Sequence, residues 1–170
     1  KKGMNKFVWD LKNDDLIKVK DVSFYGSYSG YKIGPGKYTA RLTLNDEIIE
    51  RNFEIKNDPR LDIGDQSILD HQQLMSNLYD KINELHSTIV KARNIRTQIS
   101  TTNDQINDMS NVKDLKEAGE KAIQSLNGWE SNVIQTKMVT FQDVVNYLNK
   151  LNSHMINLLS TMSQSDAPLT

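Results

Sequence analysis

Asn57-Asp58-Pro59-Arg60-Leu61-Asp62-Ile63-Gly64-Asp65 divides this chain into two rhythms of side chains. Proline cannot donate to a strand ladder, so a sheet that reaches Asp58-Pro59 ends there. Before that point apolar residues alternate with polar ones. Beyond Gly64 they recur at steps of three and four. The first spacing is that of a half-buried strand, and the second that of a helix with a heptad seam.

Upstream of the division, Tyr38, Ala40, Leu42 and Leu44 share one face, and Thr39, Arg41 and Thr43 share the other. Asn45-Asp46 suits a tight hairpin turn. The return strand carries Ile49, Phe53 and Ile55 inward, with Arg51 as the exception. Gly34-Pro35-Gly36 reads as the turn that opens this ribbon. Residues 12–33 read as irregular, with a turn at Asn13-Asp14-Asp15 and a short strand from Val22 to Tyr25. Asn5 to Leu11 alternates again. Phe7, Trp9 and Leu11 share a face, which predicts a further strand with Trp9 in the core.

Downstream, the seam runs through Ile68, Met75, Leu78, Ile82, Leu85, Ile89, Ala92, Ile99 and Ile106, with His71, Arg96 and Asn103 in its remaining places. Neither proline nor glycine interrupts Asp65 to Met109, which predicts one helix of roughly 40 residues and ~60 Å. Ser67 with Asp70, or Asp65 alone, is the expected cap. Asp108 to Asn111 reads as a break, with Ser110 or Asn111 as the next cap. A second stripe follows at Val112, Leu115, Gly119, Ala122, Leu126, Trp129 and Val133. Thr140 and Asp143 read as a capping pair for a third stripe at Phe141, Val144, Leu148, Leu151, Met155, Leu158 and Met162. Three such helices on short turns run up, down and up.

The totals fit this division. With 37% hydrophobic residues and a mean hydropathy of −0.59, the chain suits narrow seams better than one deep core. A net charge of −1 offers no footprint for nucleic acid or an anionic membrane. No apolar run approaches a membrane span. The absence of cysteine excludes disulfides, thiolate metal sites and a cysteine nucleophile. Lys1-Lys2-Gly3 begins almost inside a strand pattern and is followed by no signal-peptide core, which reads as a piece of a longer protein.

Three strings of residues carry a family resemblance. Gly3, Asn5, Phe7, Trp9, Asp10 and Leu11 are followed by Pro35, Gly36, Tyr38, Thr39, Arg41 and Leu42, and then by Asp58, Pro59 and Arg60. Near the end, Lys150-Leu151-Asn152 precedes Ser165-Asp166-Ala167-Pro168. In these strings the chain resembles the Ig-like segment and helical tail of bacterial sortilin-like proteins with BNR (Asp-box) propellers, often named glycosyl hydrolases. It departs from them in Leu169, between Pro168 and Thr170, and in Asn45-Asp46, where a glycine is common. The resemblance implies that a propeller of the same polypeptide, the seat of any glycosidase activity, lies upstream. It also implies that the first sandwich strands precede Lys1, and that the setting is secreted, periplasmic or at the cell surface.

Sites for chemistry are sparse. His71, His86 and His154 lack metal-ligand spacing and read as helix-surface or seam residues. Asp14-Asp15 and Asp46-Glu47 are adjacent acids in turns, unlike a glycosidase pair set across a cleft. Lys91, Arg93 and Arg96 read as a solvated face, and Trp129 as a seam residue. Tyr25, Tyr28 and Tyr31 are the carbohydrate-stacking candidates, against a role in covering the end of the sandwich. The expectation is an α+β chain: a partial Ig-like antiparallel β-sandwich over 1–60, an up-down-up three-helix bundle with a long first helix over 65–165, and a coil tail over 166–170. It needs no catalytic residue, metal or cofactor. It scaffolds an upstream propeller and pairs with a second copy through a sheet edge or helices. The alternatives are a contribution to a glycosyl hydrolase active site, or a carbohydrate-binding module built on Tyr25–Tyr31.

Overall fold

The computed structural model describes residues 3–60, 63–137, 140, 142 and 146–164. The expected positions of Phe141, Asp143 and Val144, and the tail from Ser165 onward, lie outside the described residues. The chain is α+β, with a two-stranded antiparallel sheet followed by three helices.

Strand β1 (Gly36–Leu44) pairs with β2 (Glu47–Ile55) in the register expected from the alternation. Tyr38 lies opposite Phe53, and Leu42 opposite Ile49. Asn45 opens the intervening turn at φ 53°, a left-handed conformation that asparagine tolerates better than most residues. The other face is polar apart from Ile48, which lies opposite Thr43. Thr39 donates to Asn52 at 2.8 Å, and Arg41 donates to Glu50 at 2.7 Å.

Residues 5–11 form no strand, which corrects the sequence expectation. Local side-chain bonds take the place of a ladder there. Trp9 Nε1 donates to the Lys12 carbonyl at 2.8 Å, the Asp10 carboxylate accepts the Lys12 amide, and Leu11 adopts φ 59°. Only at Lys12 does the segment pair, in an isolated bridge to Lys32. The strand expected from Val22 to Tyr25 is likewise reduced to one bridge, Ser23 to Gln135.

Helix α1 (Asp65–Gln105) is the spine. Its 41 residues span about 60 Å. Its buried residues are His71, Met75, Ile82, His86, Ile89 and Ala92, so the heptad reading holds and His86 joins it. No side chain caps it. Gly64 occupies the cap, while Asp65 sits in the first turn, where its charge complements the helix dipole. Helix α2 (Lys113–Val133) starts after Val112, also without a side-chain cap. Asn111 serves as a left-handed turn residue at φ 62° instead. Helix α3 (Leu151–Gln164) buries Asn152, Ser153, Ile156, Leu159 and Met162. The expected stripe holds at Met155 and Met162, but Leu148, Leu151 and Leu158 are exposed, and Asn152, Ile156 and Leu159 take the inner positions instead. Asn152 takes the interior place because a polar partner awaits it there. Both α2 and α3 pack on α1.

The irregular segment supplies the rest of the core. Leu16 and Tyr31 join Met75, Ile82, Ile156, Leu159 and Met162 in one cluster. Val19 joins Ile89, Val133 and Ile134 in a second, with Trp129 packed against it. Backbone bonds from Asn13 to Tyr31 and from Leu16 to Tyr28 fold the segment onto itself. Gly30 permits that closure: a Cβ there would stand 2.2 Å from the Asn13 carbonyl oxygen.

Candidate functional site

Packing separates the three tyrosines. Tyr31 is a core residue and meets Tyr79 edge to face at 5.5 Å. Tyr28 is half-buried between Phe24 and His86, and its hydroxyl donates to the Val19 carbonyl at 2.9 Å. Burial pushes the Tyr28 phenol above its usual range, against the lowering effects of the Val19 amide and the Arg93 charge. Only Tyr25, 70% exposed, offers its ring to solvent. It borders an open cleft with Tyr147, Asn149, Ser153, His154 and Asn157. Among the described residues the cleft is lined by no carboxylate, lysine or arginine.

Trp9 is not a core residue. It remains 37% exposed and rests edge-on against Tyr38 and Phe53, with both ring centroids at 6.2 Å. It covers one end of the hairpin's apolar face. The remainder of that face is open: Leu42, Leu44 and Ile49 are 60%, 63% and 47% exposed. Among the described residues no helix comes within 8 Å of either strand, Cα to Cα.

The imidazoles have three different environments. His154 is exposed. His86 is buried, with Nδ1 2.6 Å from the Ile17 carbonyl and Nε2 2.7 Å from Asn152 Oδ1. His71 is 9% exposed and has no hydrogen-bond partner among the described residues. It lines a cavity of about 220 Å³ where α1, α3 and the base of the hairpin converge. Gly34 packs against α1 beside this cavity, where a Cβ would meet Gln72 Cδ at 2.5 Å. Among the described residues no group of three or more acidic or imidazole side chains could hold a metal.

Arg93 and Arg96 correct the solvated-face expectation. Both reach the buried Glu130 of α2, at 2.6 and 2.7 Å, and Arg93 also donates to the Lys20 carbonyl. Lys91 remains exposed. Asp14, Asp15, Asp46 and Glu47 are all exposed. The sequence reading missed Glu130, Asn152 and the cavity around His71. Polar residues at seam positions, or one step from them, were the available signal. No family model, curated protein or solved structure gives a significant match to the chain.

Proposed function

We propose that this chain is a non-catalytic accessory region that scaffolds a larger sortilin-like, BNR-propeller protein. The observation that carries the reading is the two-faced hairpin. Its outer face carries polar cross-strand pairs, whereas among the described residues the ring resting on its apolar face is that of Trp9. Such a face suits the inner layer of an incomplete Ig-like sandwich, closed by further strands of the same polypeptide. The helices, read as an up-down-up bundle, then serve as a rigid strut. α1 carries α2, α3 and the segment from Leu16 to Tyr31 along its length. Among the described residues no helix is long and apolar enough to cross a membrane.

Two measurements test this. The isolated chain is expected to leave nitrophenyl glycosides intact, and hydrolysis abolished by an acidic-residue substitution would overturn the reading. In the longer polypeptide, amide exchange at Leu42 and Ile49 should slow relative to the isolated chain. Equal rates would remove the sandwich.

A second reading is favoured by Tyr25 and Tyr147 sharing one cleft with amide side chains. Aromatic faces with amide hydrogen-bonding groups suit a neutral sugar. Titration with maltoheptaose tests it: equal binding by Tyr25→Ala and by the unaltered chain would dismiss it.

A further inference from the structure

We propose that the cavity around His71 is a binding site for a small monocarboxylate with a short apolar tail. The site stands apart from the scaffolding role and does not depend on it. Its head end lies at the start of α1. Ser67 occupies the first turn, where amides have no partner four residues back, and no side chain caps them. His71 follows one turn later on the same face. Its imidazole is nine-tenths buried, lines the cavity and meets no partner among the described residues. Its ring nitrogens are not sealed off as Asn152 Nδ2 is, so an acceptor in the cavity can reach them.

Helix N-terminal amides favour negative charge, so the Ser67 turn and the His71 N–H together define a carboxylate position. Of the charged side chains that line the cavity, Lys56 is paired with Glu54 and Asp58 with Arg60, so the preference for an anion rests on the helix start and His71. The wall also carries Ile33, Ile55, Ile68, Met75 and Met162, interleaved with the polar Asn57, Gln72 and Ser163. A free inorganic anion would leave the apolar side chains unused. About 220 Å³ corresponds to roughly seven water-sized groups, and pentanoate has about that many non-hydrogen atoms. α3 contributes its last turn, Met162 and Ser163, to the opposite wall, and a helix C-terminus has the reverse polarity. An alkylammonium of equal length is therefore the informative control.

The test is an NMR titration of the intact chain with sodium pentanoate, pentylammonium, 1-pentanol and inorganic phosphate. It follows the His71 ring and the Met75 and Met162 methyl signals. Pentanoate is expected to give saturable shifts at all three residues, at least about tenfold tighter than any of the controls. His71→Phe and Ser67→Pro should each weaken it by about tenfold, the proline because it removes a first-turn N–H that has no partner within the helix. Folding of each variant is read from dispersion of the remaining methyl signals, and Ser67→Pro decides the matter if His71→Phe does not fold. No saturable shift with pentanoate would overturn the proposal. So would equal shifts with pentylammonium, pentanol or phosphate, or unchanged affinity in folded Ser67→Pro.

Discussion

His86 of α1 and Asn152 of α3 face each other in the interior, with imidazole Nε2 and amide Oδ1 2.7 Å apart. The other ring nitrogen lies 2.6 Å from the Ile17 carbonyl, so one side chain ties α3, α1 and the irregular segment together. A neutral imidazole that donates to Ile17 leaves Nε2 as an acceptor. Asn152 then serves it best by presenting Nδ2, which otherwise is buried without a partner. Asn152→Ala should cost about 2 kcal/mol, because it strands a buried ring nitrogen. His86→Ala should cost about 3 kcal/mol through the same loss plus a cavity. Urea melts of both single variants and the double variant check this. Strict additivity would show that the two side chains do not act as a pair.

Glu130 closes a second polar joint, between α2 and α1. Its two oxygens take Arg93 and Arg96 separately, and it is the most buried carboxylate among the described residues. Removing it leaves two half-buried guanidinium groups without their acceptor. Glu130→Ala is expected to destabilise the chain by about 3 kcal/mol. A Lys81→Ala change, at an exposed pair with Glu84, should leave the melting point nearly unchanged. Similar effects in thermal melts would mean that the buried joint contributes no more than the surface pair.

How much of this was legible in sequence depended on whether a residue's partner lay on its own element. The β1–β2 register followed from alternation, and the α1 seam from its heptads, because both are local periodicities. The strand expected at residues 5–11 failed because alternation needs a neighbour to become a ladder. Trp9 and Asp10 satisfied the nearby backbone instead. The misplaced leucines of α3 have the same origin. Composition favoured Leu151 and Leu158 as its inner face, yet His86, 66 residues from Asn152 in sequence, drew the asparagine inward. The candidate cavity was illegible for that reason as well. His71 sat correctly on the seam, but nothing in its own helix indicated that three elements would stop short of covering it.

Gly30 offers a backbone test of how the irregular segment closes. It faces the Asn13 and Asp14 carbonyls, at 2.2 and 2.3 Å from an added Cβ. Backbone atoms cannot yield as a side-chain tip does. Gly30→Ala should therefore cost about 3 kcal/mol, the upper end for an overpacked position. Gly128→Ala meets open space on α2 and should instead be neutral or stabilising, by up to about 1 kcal/mol. Thermal melts of the two variants should move in opposite directions.

The apolar face of the hairpin predicts a separation of stability from association. Leu42 and Ile49 lie opposite each other and are both largely exposed. Replacing Leu42 with lysine and Ile49 with glutamate forfeits one cross-strand pair, worth about 1 kcal/mol at most, and sets opposite charges face to face. The same change removes the centre of the surface that another sheet would cover. Sedimentation of the isolated chain over a range of concentrations should show less self-association for the double variant, with its melting nearly unchanged. A large loss of stability would instead mean that the face is already covered within the chain.

Tyr28 gives the fold an alkaline limit whose sign can be worked out. Its folded-state pKa lies above the unfolded value of 10.0, because burial penalises the phenolate. The folded chain therefore holds this proton more tightly than the unfolded chain does. That contribution is complete below pH 10 and is lost as pH rises from there through the folded pKa. Tyr38 shifts in the same direction, also by burial, so it adds to the same window. Tyr28→Phe should lower stability by about 1 kcal/mol at pH 8, since the hydrogen bond to the Val19 carbonyl is lost. Above pH 10 the variant should lose less stability than the parent does, and the two curves should converge. Urea midpoints measured from pH 8 to 11 decide it; parallel curves would show that the Tyr28 phenol ionises in the folded chain as readily as in water.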